Sequence, residues 1–354
     1  MSGGVQPNGL MNLVRAAAGA LPLIPRGDTV PNHTRSVEDL AIDRSNLAAY
    51  CAVTGLRYGD TVPLTYPFAL TFPTVMGLIT GFDFPFSAMG AVHVENRITA
   101  HRPIAVTDTV SARVHAENLR EHRKGLLVDV LTDVSVGNEP AWHQVTTFLH
   151  QQRTSLSDEP KPEPPKAPKL PPPNAILRIT PAQIRRYATI SGDRNPIHTS
   201  ALGAKLFGFP TVIAHGMFSA AAILANLEGQ LPTAVSYAVK FGKPVVLPAN
   251  AGVYVDRVAD GWDLRGSRRG EQHHSEPAAS HGIGRYRHAS TTLDADGPPP
   301  RRSERMRAGR GTTRGPAEPA LGSSQCSKPY SASIFNISAM SYGSLSKNAV
   351  LALN

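Results

Sequence analysis

The chain has 354 residues, 41% of them hydrophobic and 18% charged, with 36 Lys/Arg against 27 Asp/Glu and two cysteines, Cys51 and Cys326. That length holds two domains and a tail, the two cysteines exclude a disulfide framework and fit a reducing cytoplasm, and no run of about 18 apolar residues marks a membrane span. The net charge of +9 is unevenly placed: residues 267–354 carry 12 Lys/Arg against 6 Asp/Glu, and residues 1–266 carry 24 against 21, so the excess lies in a segment without interleaved aromatics and argues against specific nucleic-acid binding.

Residues 1–29 read as an N-terminal extension. Leu10 to Ile24 is mildly apolar but lacks the positive leader of a signal peptide. A first domain is expected over 30–153. It opens with Tyr50-Cys-Ala-Val-Thr-Gly-Leu-Arg57, and its alternating stretches Leu126–Val136 and Gln144–Leu149 read as strands. Residues 154–174 form a linker, with eight prolines between Pro160 and Pro173, a composition that gives an extended, semi-rigid connector.

The second domain, 175–266, carries the chemistry. Tyr187-Ala-Thr-Ile-Ser-Gly-Asp-Arg-Asn-Pro-Ile-His198 cannot be regular helix throughout. Pro196 removes a backbone donor and pushes Asn195 away from helical geometry, and Gly192 admits backbone angles other residues resist. A compact turn of this kind can aim Asp193 and His198 at one point. A carboxylate and an imidazole converging on one water are what hydration of a polarised double bond requires. Downstream, Phe207-Gly-Phe-Pro-Thr begins with turn residues and continues as an apolar helix to Leu227, with Gly229 as its stop. Such a helix belongs in a core wrapped by sheet. Ala234–Phe241, Ala251–Val258 and the run starting at Trp262 read as strands.

An aromatic residue, then Gly-Asp-x-Asn-Pro-aliphatic-His and a small residue six positions on (Ala204), resembles the signature of MaoC-like (R)-specific enoyl-thioester hydratases. The resemblance covers about residues 30 to 265. It implies an α+β double hot-dog fold: two curved antiparallel sheets, each wrapping a long central helix. It further implies a hydro-lyase acting in fatty-acid metabolism, which interconverts a trans-2-enoyl thioester and an (R)-3-hydroxyacyl thioester. Asp193 and His198 match the family's catalytic pair, and Gly216 matches the position whose backbone N–H donates to the thioester carbonyl. Asn195, and more weakly Ser191, would support the loop, and His215 would be a packing or supporting histidine. No metal or redox cofactor is called for, since the thioester supplies the activation. The substrate's carrier is coenzyme A or an acyl-carrier protein, and a homo-oligomer is left open. A thioesterase, a non-catalytic acyl-thioester binding subunit and an inactive fusion product stay open as alternatives.

An internal repeat links the two domains. Tyr50–Val75 aligns with Tyr187–Val212 without a gap, sharing Tyr50, Gly55, Arg57, Phe72, Pro73, Thr74 and Val75. In that register Leu56 replaces Asp193, Thr61 replaces His198 and Leu78 replaces His215, so the first half is expected to keep the shape and lose the chemistry. Beyond Arg265 the pattern breaks. Residues 267–327 read as a disordered basic tail, so the catalytic half is expected to lack its last, interior strand. Residues 328–354 resemble a truncated opening of the FMN-binding barrel of glutamate synthase, as a shifted frame or a gene fusion would leave.

Overall fold

The computed structural model describes residues 26–160, 171–259, 261–268 and 281–288. Their organising element is one ten-stranded antiparallel sheet in the order β1-β3-β4-β5-β2-β7-β10-β9-β8-β6. The first half supplies β1 (Arg35–Ala41), β2 (Ala91–Ala100), β3 (Thr109–His122), β4 (Gly125–Val136) and β5 (Glu139–Gln151). The second supplies β6 (Ala175–Ile179), β7 (Val235–Lys240), β8 (Ala249–Val258), β9 (Gly261–Arg268) and β10 (His281–His288). Read from the outer edges inward, the two halves have the same order, 1-3-4-5-2 and 6-8-9-10-7. The fold is therefore a duplication, the double hot-dog expected from the sequence. Its two sheets are continuous, joined where β2 pairs with β7 from Glu95↔Lys240 to Ala100↔Val235.

Each half carries a short capped helix and a central apolar one. In the first, α1 (Arg44–Thr54) starts at Asp43, whose carboxylate accepts the Ser45 and Asn46 N–H groups, and it stops at Gly55 with φ 80°. The central helix α2 spans Tyr66–Ile79. In the second, α3 (Pro181–Ser191) starts at Thr180 with Gln183 completing a capping box and stops at Gly192 with φ 77°. Two short helices follow, α4 (Pro196–Thr199) and α5 (Ala201–Leu206), before the central helix α6 (Gly216–Leu224). The left-handed turn at the end of α1 and of α3 is a conformation that glycine adopts without steric cost. The helices pack across the halves, α1 on α3 and α6, and α2 on α3. Tyr50 and Tyr187, both fully buried, meet at 6.0 Å between ring centroids. Leu47, Ile184, Phe218, Ala221, Leu224 and Leu264 belong to a core shared by both halves.

Two expectations are corrected. The gap-free repeat holds through Gly55/Gly192 and then slips. From Gly55 the central helix begins 11 residues later, at Tyr66, whereas from Gly192 it begins 24 residues later, at Gly216. The second half thus contains 13 extra residues, the stretch that forms α4 and α5. Leu78 lies near the end of α2 and is not the counterpart of His215; the residue before the central helix in the first half is Thr65. The shared Phe-Pro-Thr-Val lies inside α2 in one half and in the loop before α6 in the other, so it marks no equivalent structure.

The second correction concerns the interior strand. His281–His288 lies between β7 and β9, pairing Tyr286 with Tyr237 on one side and with Trp262 on the other. It is the duplicate of β5. Gly282, Gly284 and the basic residues of this segment break the apolar alternation that marks a strand in sequence, but β7 and β9 each present a row of backbone groups that must be paired. The remaining parts of 267–327, the glutamate-synthase-like 328–354, Cys326, residues 1–25 of the extension and residues 161–170 of the proline-rich linker lie outside the described residues.

A chain ended at Arg268 should lose cooperative thermal melting. Each buried backbone group left unpaired costs about 1–3 kcal/mol, so losing an eight-residue interior strand exceeds the ~5–15 kcal/mol stability of a typical domain. Differential scanning calorimetry of full-length and shortened chains checks this, and equal transitions in both would remove β10 from the folded structure.

Candidate active site

The 13 inserted residues build the site. Gly192 ends α3, and the chain doubles back through Asp193, Arg194 and Asn195. This turn is held by its own side chains. The Ser191 hydroxyl donates to the Tyr187 carbonyl at 2.8 Å and accepts the Asp193 N–H at 3.3 Å. The Asp193 carboxylate accepts the Asn195 N–H at 3.3 Å, and Asn195 Oδ1 accepts the Ile197 N–H at 3.2 Å, capping α4. Pro196 occupies the first helical position, where its missing donor costs nothing. One turn later comes His198, 8% exposed.

His198 Nδ1 lies 2.9 Å from the Ile213 carbonyl oxygen. A carbonyl only accepts, so Nδ1 carries the proton and Nε2 presents a lone pair. His215, at the N-cap of α6 and 2% exposed, places Nε2 3.0 Å from the Asp193 carbonyl and 3.8 Å from its carboxylate. It thereby ties the loop to the central helix. The two imidazoles stack with centroids 3.8 Å apart and planes 30° from parallel. Burial lowers the pKa of His198, against the opposing pull of the Asp193 carboxylate and the Ile213 carbonyl. His215 is pushed well below the ordinary histidine value, by burial first and by His198 second. Both rings are neutral at physiological pH. One nitrogen of each ring and one Asp193 carboxylate oxygen all lie within 4.8 Å of one another.

Gly216 is the first residue of α6, so its N–H is one of the four that an α-helix leaves without an internal acceptor, at the positive end of the helix dipole. A side chain there would collide: a Cβ on Gly216 would stand 3.0–3.1 Å from the Phe241 ring. The sequence therefore brings Asp193, His198 and Gly216 to one place, with Asn195 and Ser191 inside the loop that holds the first two.

All three face a cavity of about 1040 Å³ whose lining crosses the seam between the halves. Phe68, Phe72, Met76, Ile79 and Phe148 come from the first half; Arg194 and Lys243 add positive charge from the second. His93 of β2 also lines it, and nothing in the local sequence signalled this, because the residue reaches the site only through the β2–β7 pairing. Its Nε2 lies 3.1 Å from the Glu95 carbonyl and 3.2 Å from Asn96 Nδ2. Burial pushes its pKa down to about 4.

A helix N-terminus beside an Asp–His pair, on a hot-dog sheet, is an arrangement that suits an acyl-thioester hydratase. The comparisons agree. Residues 163–275 match the MaoC-like domain. The chain is 72% identical over 259 residues to 3-hydroxyacyl-thioester dehydratase X of Mycobacterium tuberculosis, covering 73% of this chain and 92% of that protein. The crystal structure of that dehydratase, HtdX, superposes with a TM-score of 0.64 and 61% sequence identity, over 72% of this chain and 100% of the other. A MaoC-like dehydratase from Phytophthora capsici, 17% identical, shares the fold with a TM-score of 0.55 over 74% of this chain and 96% of its own. The chain belongs to the MaoC-like 3-hydroxyacyl-thioester dehydratases.

Acid should destabilise the protein through these histidines. Their folded pKa values lie below the unfolded 6.5, so the unfolded state binds more protons across the window. The stability they confer is complete above pH 6.5 and is lost as pH falls toward the value of about 4 held by His93. Denaturant midpoints should therefore fall between pH 7 and pH 4.5, and His93→Phe should flatten the lower part of that decline.

Proposed function

We propose that this protein reversibly hydrates trans-2-enoyl thioesters to (R)-3-hydroxyacyl thioesters, with Asp193 and His198 holding the reacting water and the Gly216 N–H receiving the thioester carbonyl. The observation that carries this reading is the spacing of the pair. Two hydrogen bonds of about 2.8 Å meeting at a tetrahedral water span about 4.6 Å, and the Asp193 carboxylate and His198 ring approach within 4.8 Å. In the hydration direction the carbonyl is polarised at the start of α6, which makes C3 electrophilic. Water between Asp193 and His198 Nε2 adds its oxygen to C3, its proton passing to the pair, and C2 takes a proton from the same side. Oxygen and hydrogen are delivered from one face, so the addition is syn. Dehydration reverses each step.

The groups are arranged for proton transfer rather than for metal coordination. His198 Nδ1 and His215 Nε2 are committed to carbonyl oxygens. One nitrogen of each ring is thereby withdrawn from any ion, although the groups themselves lie within 4.8 Å of one another. This supports a reaction without metal or redox cofactor. Arg194 and Lys243 on the cavity lining suit the phosphates of coenzyme A or of a carrier protein's pantetheine arm. Among the described residues no helix is long and apolar enough to cross a membrane, and the buried free thiol of Cys51 fits a cytoplasmic protein.

Loss of enoyl absorbance on adding the protein to trans-2-enoyl-CoA tests the proposal. Asp193→Asn and His198→Gln should each lower kcat by about 10²–10⁴-fold while leaving the fold intact by circular dichroism. Turnover that survives Asp193→Asn would overturn the assignment. In the wild type, the acid limb of kcat/KM should fall below pH 6.5, because His198 must be neutral and its pKa is lowered.

A further inference from the structure

We infer that Phe241, backed by His93 of the other half, is the partition that decides which acyl chains pass from the catalytic pocket into the first-half part of the cavity. The inference rests on the acyl-thioester reading above and concerns the same cavity. Phe241 follows β7 directly. Its N–H donates to the Val94 carbonyl at 2.9 Å, so its backbone is pinned to β2 at the seam between the halves. Its ring edge lies 3.0–3.1 Å from the position a Cβ on Gly216 would take. The ring is therefore in contact with the residue that receives the thioester carbonyl, where the acyl chain begins.

His93 is the post that holds this ring. It meets Phe241 edge-to-face at 4.8 Å between centroids, an arrangement aromatic pairs favour. It is itself fixed through Nε2, which either donates to the Glu95 carbonyl at 3.1 Å or accepts from Asn96 Nδ2 at 3.2 Å, according to its tautomer. Asn96 is fully buried and bonded to Thr146 and Gln144. On the first-half side, Phe148 lies 5.5 Å and Phe68 5.9 Å from His93. A row of rings thus leads from Gly216 across the seam to the apolar lining formed by Phe72, Met76 and Ile79. With the backbone pinned, Phe241 can widen the passage only by changing rotamer, and His93 restrains that change. Phe241 is a specificity-determining residue and His93 a positioning residue that acts through it.

The test compares kcat/KM for a four-carbon and a twelve-carbon trans-2-enoyl-CoA. Phe241→Ala opens the passage and should raise the twelve-to-four ratio by about tenfold or more, within the range that small changes in an apolar pocket produce. Phe241→Trp narrows it and should lower the ratio by about the same factor. His93→Leu should shift the ratio in the same direction as Phe241→Ala, through KM for the long substrate more than through kcat; a merely structural defect would lower both substrates together. Calorimetric binding of butyryl-CoA and dodecanoyl-CoA to Asp193→Asn protein, with and without each Phe241 substitution, reads the partition independently of turnover. Absent turnover in the wild type with chain-length-dependent binding that follows Phe241 would overturn the activity and keep the partition. Ratios within twofold of the parent in kinetics and binding, for both Phe241 variants, would overturn the partition and leave the activity standing.

Discussion

The pairing of β2 with β7 is the constraint on which the rest of the molecule depends. It is a short antiparallel ladder, six residue pairs from Glu95↔Lys240 to Ala100↔Val235, yet it turns two five-stranded halves into one sheet. Once that edge is closed, both half-sheets wrap the same helical layer, and α1 can pack on α3 and α6. A polar network locks the same interface: Asn46 donates to the Ile190 carbonyl at 3.0 Å and accepts from the Tyr66 hydroxyl at 3.1 Å, while Glu228 accepts the Arg57 N–H at 3.1 Å. The cavity is a product of this closure, since His93 and Phe241 reach it from strands that meet only there. An open edge in either half would leave buried backbone groups without partners and would divide the acyl channel from its catalytic end.

Duplication makes the first half an internal reference for the second. Tyr50 and Tyr187 occupy matching places, one turn before the glycine that ends each capped helix, and both are fully buried. In the first half the Tyr50 hydroxyl donates to Thr65, the residue before α2, at 2.9 Å. In the second half the residue before α6 is His215, and among the described residues the Tyr187 hydroxyl and His215 Nδ1 both lack a hydrogen-bond partner. A buried polar group left unpaired costs about 1–3 kcal/mol. The catalytic half has therefore given up the satisfied Tyr–Thr arrangement for a histidine that grips the Asp193 backbone. Such unsatisfied groups concentrate where function sets the residue rather than stability. The first half has not lost a catalytic pair by substitution in an otherwise matching loop; it lacks the 13 residues on which the loop is built.

What could be read in the sequence follows from how local each feature is. The Asp193–His198 turn was legible because its geometry is written into adjacent residues: a left-handed glycine, a self-capping Asn195 and a proline at the first position of α4. The strands with regular alternation, such as Leu126–Val136, were legible for the same reason. Three features were not. β10 carries two glycines and several basic residues, and it becomes a strand through the unpaired edges of β7 and β9 rather than through its own pattern. The equivalence of Phe72–Val75 with Phe209–Val212 was a coincidence of letters, because identity at a fixed offset cannot reveal an insertion that the three-dimensional start of each central helix exposes at once. His93 lay beyond any local reading, since its place depends on strand pairing between residues about 145 apart in the chain.

The burial that makes these histidines costly to the fold also makes them useful. A solvated imidazole beside a carboxylate would be drawn toward protonation and would lose its lone pair. At this site desolvation acts the other way on His198 and outweighs the attraction of Asp193, so a base is kept neutral within reach of an anion. His215 packs on the same side. It lays a second buried ring 3.8 Å from His198, and it ties the loop through the Asp193 carbonyl while still lying beside the carboxylate. Under the proposed mechanism, neutral His198 accepts one proton of the reacting water while the Asp193 carboxylate orients the other. The fold therefore keeps these histidines unprotonated at neutral pH, so that the free lone pair is available although the ring is a weaker base than in water.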